Sequence, residues 1–405
     1  MSGRLGDLTV RQFLRRHWQR EPLLMRQAGS GLPGPGDASP FTLKPRELFA
    51  LARDPDVESR LVIAAGPDPT GARSGSGWQL RHGPFSRLPP RRQPGWSLLV
   101  QGVDLHLAAA RDLMDRFRFI PDARLDDLMI SFATDGGGVG PHVDSYDVFL
   151  LQIAGRRRWR VAPPAPVTLV PDAPLRLLAD FEPQETWLLE PGDMLYLPPG
   201  WGHEGTAVGD CLTCSIGFRS PSVDELRRAF FAFLADSEPC AAEPGAAAPG
   251  RYRDRTVRPA GNPARIPTDM AKTLKQWLSG YRPPGTQIEQ FIGCYLTEPK
   301  PSVWFEPGQE SAPVSLEGCS LALDRRTRML YRREGFYING EAVELPAAAS
   351  PKDTVASRTS RALLRKLADQ RGLDAVQTAK AVRDPWLRAR IGAWLATGWL
   401  RRAGS

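Results

Sequence analysis

The sequence predicts a mainly β chain with added α-helix, its middle closed into a double-sheet barrel or jelly roll. Three observations predict it. Short strand-like runs follow one another from Leu128 to Phe218 with turns between them. After Ser220 the chain becomes helical, with a strong apolar face, which closes the β region. Two Gly/Pro-rich turns, at residues 136–141 and 198–202, each lead into a histidine, so two distant segments carry matching chemistry.

The elements follow in order. Val10–Trp18 reads as a helix, with Val10, Phe13 and Leu14 at helical spacing, and Glu21–Met25 as a short strand. Residues 28–40 form a Gly/Pro loop, and Thr42–Ala52 a helix carrying Leu43, Leu48, Phe49 and Leu51. Trp96–Gly102 is a strand and Leu107–Phe117 a helix. The strands then run Leu128–Phe132, His142–Gln152, Arg156–Ala162, Thr186–Leu189, Asp193–Leu197 and Cys211–Phe218, with a turn at Ala154-Gly155. This spacing suits a double-sheet β barrel or jelly roll, the architecture of cupins. Val223–Leu234 is a helix with an apolar face, Ser237–Pro267 a low-complexity linker rich in Ala, Pro, Gly and Arg, and Met270–Leu278 a further helix. The two helices beside the linker form a dimer interface or pack on their own domain. Strands at Leu321–Asp324 and Met329–Arg332, a hairpin at Asn339-Gly340 and helices at Ser360–Leu367, Ala375–Ala381 and Trp386–Trp399 make a winged-helix-type module. Such modules serve nucleic acid or protein contacts alike. The domains expected are 1–220, 221–290 and 291–405.

At 405 residues the chain has room for two or three sizeable cores. Its 41% apolar and 24% charged residues exclude a disordered or fibrous chain. The net charge of +8 favours acidic partners, although an Arg-rich base composition gives the same surplus. Five cysteines, an odd number spread over a long chain, argue against a disulfide framework. Cys211 and Cys214 point to opposite faces of a strand and read as core rather than as zinc ligands. No secretory leader and no apolar run near the roughly 20 residues of a membrane span is present, so a cytoplasmic location is expected.

His142 and Asp144 form a His-x-Asp pair, which an extended backbone places on one face. His203, after the second turn, is the natural third ligand. Two histidines and one carboxylate make the facial set of non-haem Fe(II) oxygenases, with positions left open on the metal. The remaining histidines, His17, His82 and His106, lack this context. The usual co-substrate of such iron, 2-oxoglutarate, needs a cation for its distal carboxylate, and a planar arginine fork suits it. Among Arg156, Arg157, Arg158 and Arg160, alternation turns Arg157 inward with Trp159 and Val161; a solvated basic strand is the other reading. Ser131, on the face of Met129, either contacts the co-substrate or simply packs. Asp135, beside the glycine turn, either meets a cationic substrate or is an ordinary turn residue.

These residues resemble a family. The run Gly136–Asp144, then Tyr146-Asp-Val-Phe149, Gln152, Gly155–Arg160, Pro191–Gly200 and His203-Glu-Gly205 are similar to the bacterial ribosomal oxygenases of the Jumonji-C (JmjC) cupin group. Phe13-Leu14, Trp18-Gln19, Pro22-Leu-Leu24 and Leu98-Leu-Val-Gln101 extend the likeness, which is dense over residues 10–220. The resemblance implies a double-stranded β-helix, a helical dimerisation region and a winged-helix-like terminal domain. It implies an Fe(II)- and 2-oxoglutarate-dependent hydroxylase of an arginine in a large-subunit ribosomal protein, number sixteen of the bacterial set, working as a homodimer. It assigns His142, Asp144 and His203 to iron, Arg157 to the 2-oxoglutarate carboxylate and Ser131 to a co-substrate contact. The linker of residues 239–267 is longer than the family pattern. A JmjC histidine hydroxylase or lysine demethylase would use the same iron site. A non-catalytic ribosome- or nucleic-acid-binding protein would use only the basic surface, and an intact ligand set argues against it.

Overall fold

The computed structural model describes residues 4–28, 32, 41–64, 77–236, 272, 275–276, 284–308, 316, 318–333, 335–346 and 351–403. A hairpin of β1 (Arg4–Leu5) and β2 (Leu8–Thr9) leads into α1 (Val10–Arg16). Thr9 caps this helix: its Oγ1 accepts the Gln12 N–H at 3.2 Å while Gln12 Oε1 accepts the Thr9 N–H at 2.9 Å. Phe13 is fully buried, its ring 4.9 Å from Tyr196 and 5.4 Å from Phe149, which pins α1 to the barrel.

Among the described residues ten strands form one antiparallel sheet: β3 (Leu23–Met25), β4 (Ser59–Ile63), β5 (Gln79–His82), β6 (Trp96–Val100), β7 (Leu125–Ala133), β8 (His142–Val143), β9 (Val148–Ala162), β10 (Glu185–Leu189), β11 (Met194–Leu197) and β12 (Gly202–Phe218). The long strands β9 and β12 carry the sheet across two walls. Residues 156–162 and 202–208 pair with each other and with β10 and β8, whereas 148–154 and 212–218 pair with β11 and β7. This is the two-walled jelly roll that the sequence predicts. Trp96, Phe132, Phe149, Tyr196 and Phe218 fill its core, and each such ring is worth about 1.5–3 kcal/mol of burial.

Two expectations about strands change. The chain does not reverse at Ala154-Gly155; β9 runs straight through. Gly155 has φ +62°, and a Cβ there would fall 2.1 Å from the Asp210 carbonyl oxygen, so glycine admits a bulge in β12 where the register slips between Val208 and Leu212. The strand expected over 142–152 breaks into β8 and β9. Between them the carboxylate of fully buried Asp147 accepts the Tyr196 hydroxyl at 2.6 Å, Gln19 Nε2 at 3.0 Å and Arg124 Nη2 at 3.1 Å, fixing a bend. β4 and β5 went unread in the sequence.

The chain divides into two compact units, residues 1–220, 299–328 and 348–405 in one and 221–298 and 329–347 in the other. In the first unit Leu321–Leu323 pairs with Gly372–Leu373 and Leu400–Arg402, alongside helices Pro351–Gln370, Ala375–Ala381 and Pro385–Ala396. Arg328 of this unit donates to the carbonyls of Leu125 and Asp126, and Arg118 to that of Ala368. In the second unit helices Val223–Asp236 and Gly285–Thr297 meet through Phe230, Phe233 and Phe291, and the Asn339-Gly340 turn, both residues at positive φ, closes the expected hairpin. The linker at 237–267 lies outside the described residues, as does most of 270–278, where Lys272, Lys275 and Gln276 are helical. Among the described residues no disulfide forms, buried Cys211 and Cys214 pack in separate apolar clusters, and no helix is long and apolar enough to cross a membrane.

Candidate active site

The glycine turn sets the site. A Cβ on Gly138 would lie 2.4 Å from the Gly205 carbonyl oxygen, so only glycine lets this turn lie against β12. That approach pairs β8 with the start of β12, and His142 stands directly opposite His203 with ring centroids 4.2 Å apart. Asp144 follows β8, its carbonyl held by the Gly200 N–H at 2.8 Å. Its Oδ2 lies 3.5 Å from His203 Nε2 and 3.9 Å from His142 Nε2. One ligand atom from each of the three residues falls within 4.8 Å of the others.

Both imidazoles are oriented by the same device. His142 Nδ1 lies 3.0 Å from the Gly140 carbonyl, and His203 Nδ1 3.0 Å from the Trp201 carbonyl. A carbonyl oxygen can only accept, so Nδ1 carries the hydrogen and Nε2 offers its lone pair to the shared space. Burial, reinforced by the neighbouring His142, lowers the His203 pKa to about 4, so the ring is neutral near pH 7, as a metal ligand must be. Two imidazoles and a carboxylate converging from one side suit a divalent transition metal with open positions.

The triad faces a cavity of about 310 Å³ that also holds Arg157, Ser131, Trp159, Asp127 and Tyr146. Arg157 is 6% exposed. Its Nη1 donates to Ser131 Oγ at 3.3 Å, whereas Nε and Nη2 have no hydrogen-bond partner among the described residues. A buried guanidinium keeps its charge, and two unmet donors on one fork call for a carboxylate. Arg156 and Arg158 are exposed and Arg160 pairs with Glu204, so alternation chose the inward arginine correctly.

Asp135 is a correction. It is exposed, lies outside the cavity lining, and its carboxylate accepts the Gly209 N–H at 2.7 Å, which makes it a turn-closing residue. Besides the ligand Asp144, Asp127 is an acid that lines the cavity. Burial pushes its pKa up, and Lys300 opposes that shift. The signal was present: Asp127, Met129 and Ser131 share one face of β7 by period two. Arg60, from the unread β4, and Gln101 also line the wall.

A family model for the JmjC domain matches residues 112–226, and one for the ROXA-like winged helix matches 275–401. The chain is 33% identical over 402 residues to the ribosomal protein uL16 3-hydroxylase of Escherichia coli (strain K12), covering 96% of each. It is 35% identical over 223 residues to a probable ribosomal oxygenase of Haemophilus influenzae, covering 54% of this chain and 52% of that one. The structure of YcfD, an Escherichia coli ribosomal oxygenase in complex with cobalt and 2-oxoglutarate, superposes with a TM-score of 0.75 at 31% identity, covering 98% and 99% of the two chains.

Proposed function

The chain belongs to the 2-oxoglutarate-dependent ribosomal protein hydroxylases, in which a JmjC domain is joined to a ROXA-like winged helix, and we propose that it hydroxylates an arginine side chain of ribosomal protein uL16. One observation carries the reading: the three converging ligands and the unmet donors of Arg157 face the same cavity.

His142, Asp144 and His203 would hold iron(II). When bound, iron(II) and 2-oxoglutarate together supply the oxidising chemistry, coupling decarboxylation of the co-substrate to insertion of one oxygen atom into a C–H bond. Arg157 receives the distal carboxylate of 2-oxoglutarate on Nε and Nη2, and Ser131 fixes the fork through Nη1. Val148, Leu150 and Trp159 give the cavity an apolar wall that limits water around the reacting groups. Asp127, opposite in charge to a guanidinium, orients the substrate arginine. The protein's task is thus to fix ligands, anchor one carboxylate and present one carbon.

An enzyme acting on a ribosomal protein works in the cytoplasm. We assign self-association to the helical region, where Val223 and Phe231 are 79% and 62% exposed on one helix; light scattering of the purified chain tests this.

The test is incubation with iron(II), 2-oxoglutarate, oxygen and uL16 peptides, followed by fragment mass spectrometry. Gain of one oxygen on arginine is the expected result. Oxygen on histidine, or loss of a methyl group with formaldehyde release, would replace arginine hydroxylation by one of the other JmjC chemistries.

A further inference from the structure

Asp127 lines two cavities. Besides the main one it borders a smaller cavity of about 50 Å³, together with Gln101, Lys300, Trp304 and Arg326. Lys300 lines only the smaller one. Its Nζ lies 3.4 Å from Asp127 Oδ2 and 3.2 Å from Asp126 Oδ1. We propose that Lys300 is a positioning residue for substrate recognition: it grips the Asp127 carboxylate from the rear and leaves the other face to a cationic side chain in the main cavity. The proposal rests on the reading in which Asp127 meets the substrate guanidinium.

The charges around Asp127 make this role necessary. Its side chain is 14% exposed. Burial favours the neutral acid, and the carboxylates of Asp126 and Asp104 push the same way. Tyr146, from the bend after β8, and Arg60, from β4, border the main cavity on its other walls. Asp126 has further cations of its own, with Arg219 Nε at 3.5 Å and Arg328 Nη2 at 3.8 Å. Lys300 pairs directly with Asp127, and it opposes the upward shift both through charge and through a hydrogen bond. Without it the carboxyl takes up a proton at higher pH and loses its hold on a guanidinium. Lys300 lies within the segment matched by the winged-helix model, so that segment contributes to the barrel's recognition site.

The experiment measures steady-state kinetics on an arginine-bearing uL16 peptide across pH for Lys300→Gln, Lys300→Arg and Asp127→Asn. Lys300→Gln should raise KM for the peptide while kcat at saturating peptide is held. The acidic limb of kcat/KM should move up by about one pH unit, the size of effect one nearby charge produces. Lys300→Arg should return the limb towards its original place. If Lys300→Gln fails to fold, Lys300→Met, uncharged and of similar length, takes the same readout. A limb that stays in place, or a Lys300→Arg that behaves like the neutral variant, overturns the proposal. Asp127→Asn separates the two layers: a raised KM there with an unmoved limb in Lys300→Gln removes only the role of Lys300, whereas an unchanged KM in Asp127→Asn removes the underlying reading.

Discussion

His142 and His203 face each other as a cross-strand pair, each holding its Nδ1 hydrogen on the carbonyl of the residue two positions earlier. A single backbone register therefore brings two residues sixty-one positions apart to one ion. The ligand set follows from strand pairing and needs no flexible closure.

Metal binding should therefore stabilise the fold through this pair. A non-oxidisable divalent metal at about a hundred times its dissociation constant should add about 2.7 kcal/mol to the stability of the wild type. His203→Ala should show no metal-dependent rise in melting temperature. An equal rise in that variant would place the metal elsewhere.

Arg157→Lys should raise KM for 2-oxoglutarate by about tenfold or more, because lysine cannot present two parallel donors and a charged hydrogen bond is worth about 1.5–3 kcal/mol. Titration with 2-oxoglutarate at saturating peptide checks this. An unchanged KM would transfer the anchor to another cation.

Gly155→Ala should destabilise the barrel by about 1–3 kcal/mol, since the added Cβ meets the Asp210 carbonyl and the backbone stands at positive φ. Denaturant unfolding measures it. A variant as stable as the parent would mean that the bulge in β12 can relax.

Asp147→Ala should cost about 3 kcal/mol, because Tyr196, Gln19 and Arg124 all lose one fully buried acceptor. The bend it fixes lies between Asp144 and β9, so metal affinity should weaken along with stability. Calorimetry with and without metal reads both effects.

Much of this site was legible because it depends on local pattern. Period-two alternation picked Arg157 over its three neighbours, and the two histidines announced themselves by matching turns. What failed was long-range. Gly155 looked like a reversal because glycine between two strand-like runs signals a turn, yet the cause of this glycine is the backbone of Asp210 on another strand. β4 carries Ser59 and Arg60 within its short run, so its place beside β6 is fixed by pairing that no local window contains. Asp135 was chosen for its nearness to the glycine turn. Asp127 obeyed the alternation of β7 but lay one residue before the strand expected over Leu128–Phe132.

The most direct test follows succinate formation and peptide mass together in the wild type and in His142→Ala. One succinate should form for each oxygen atom gained on the uL16 arginine, and the variant should form neither while keeping its folded spectrum. Full coupled turnover in His142→Ala would contradict the assignment of the site.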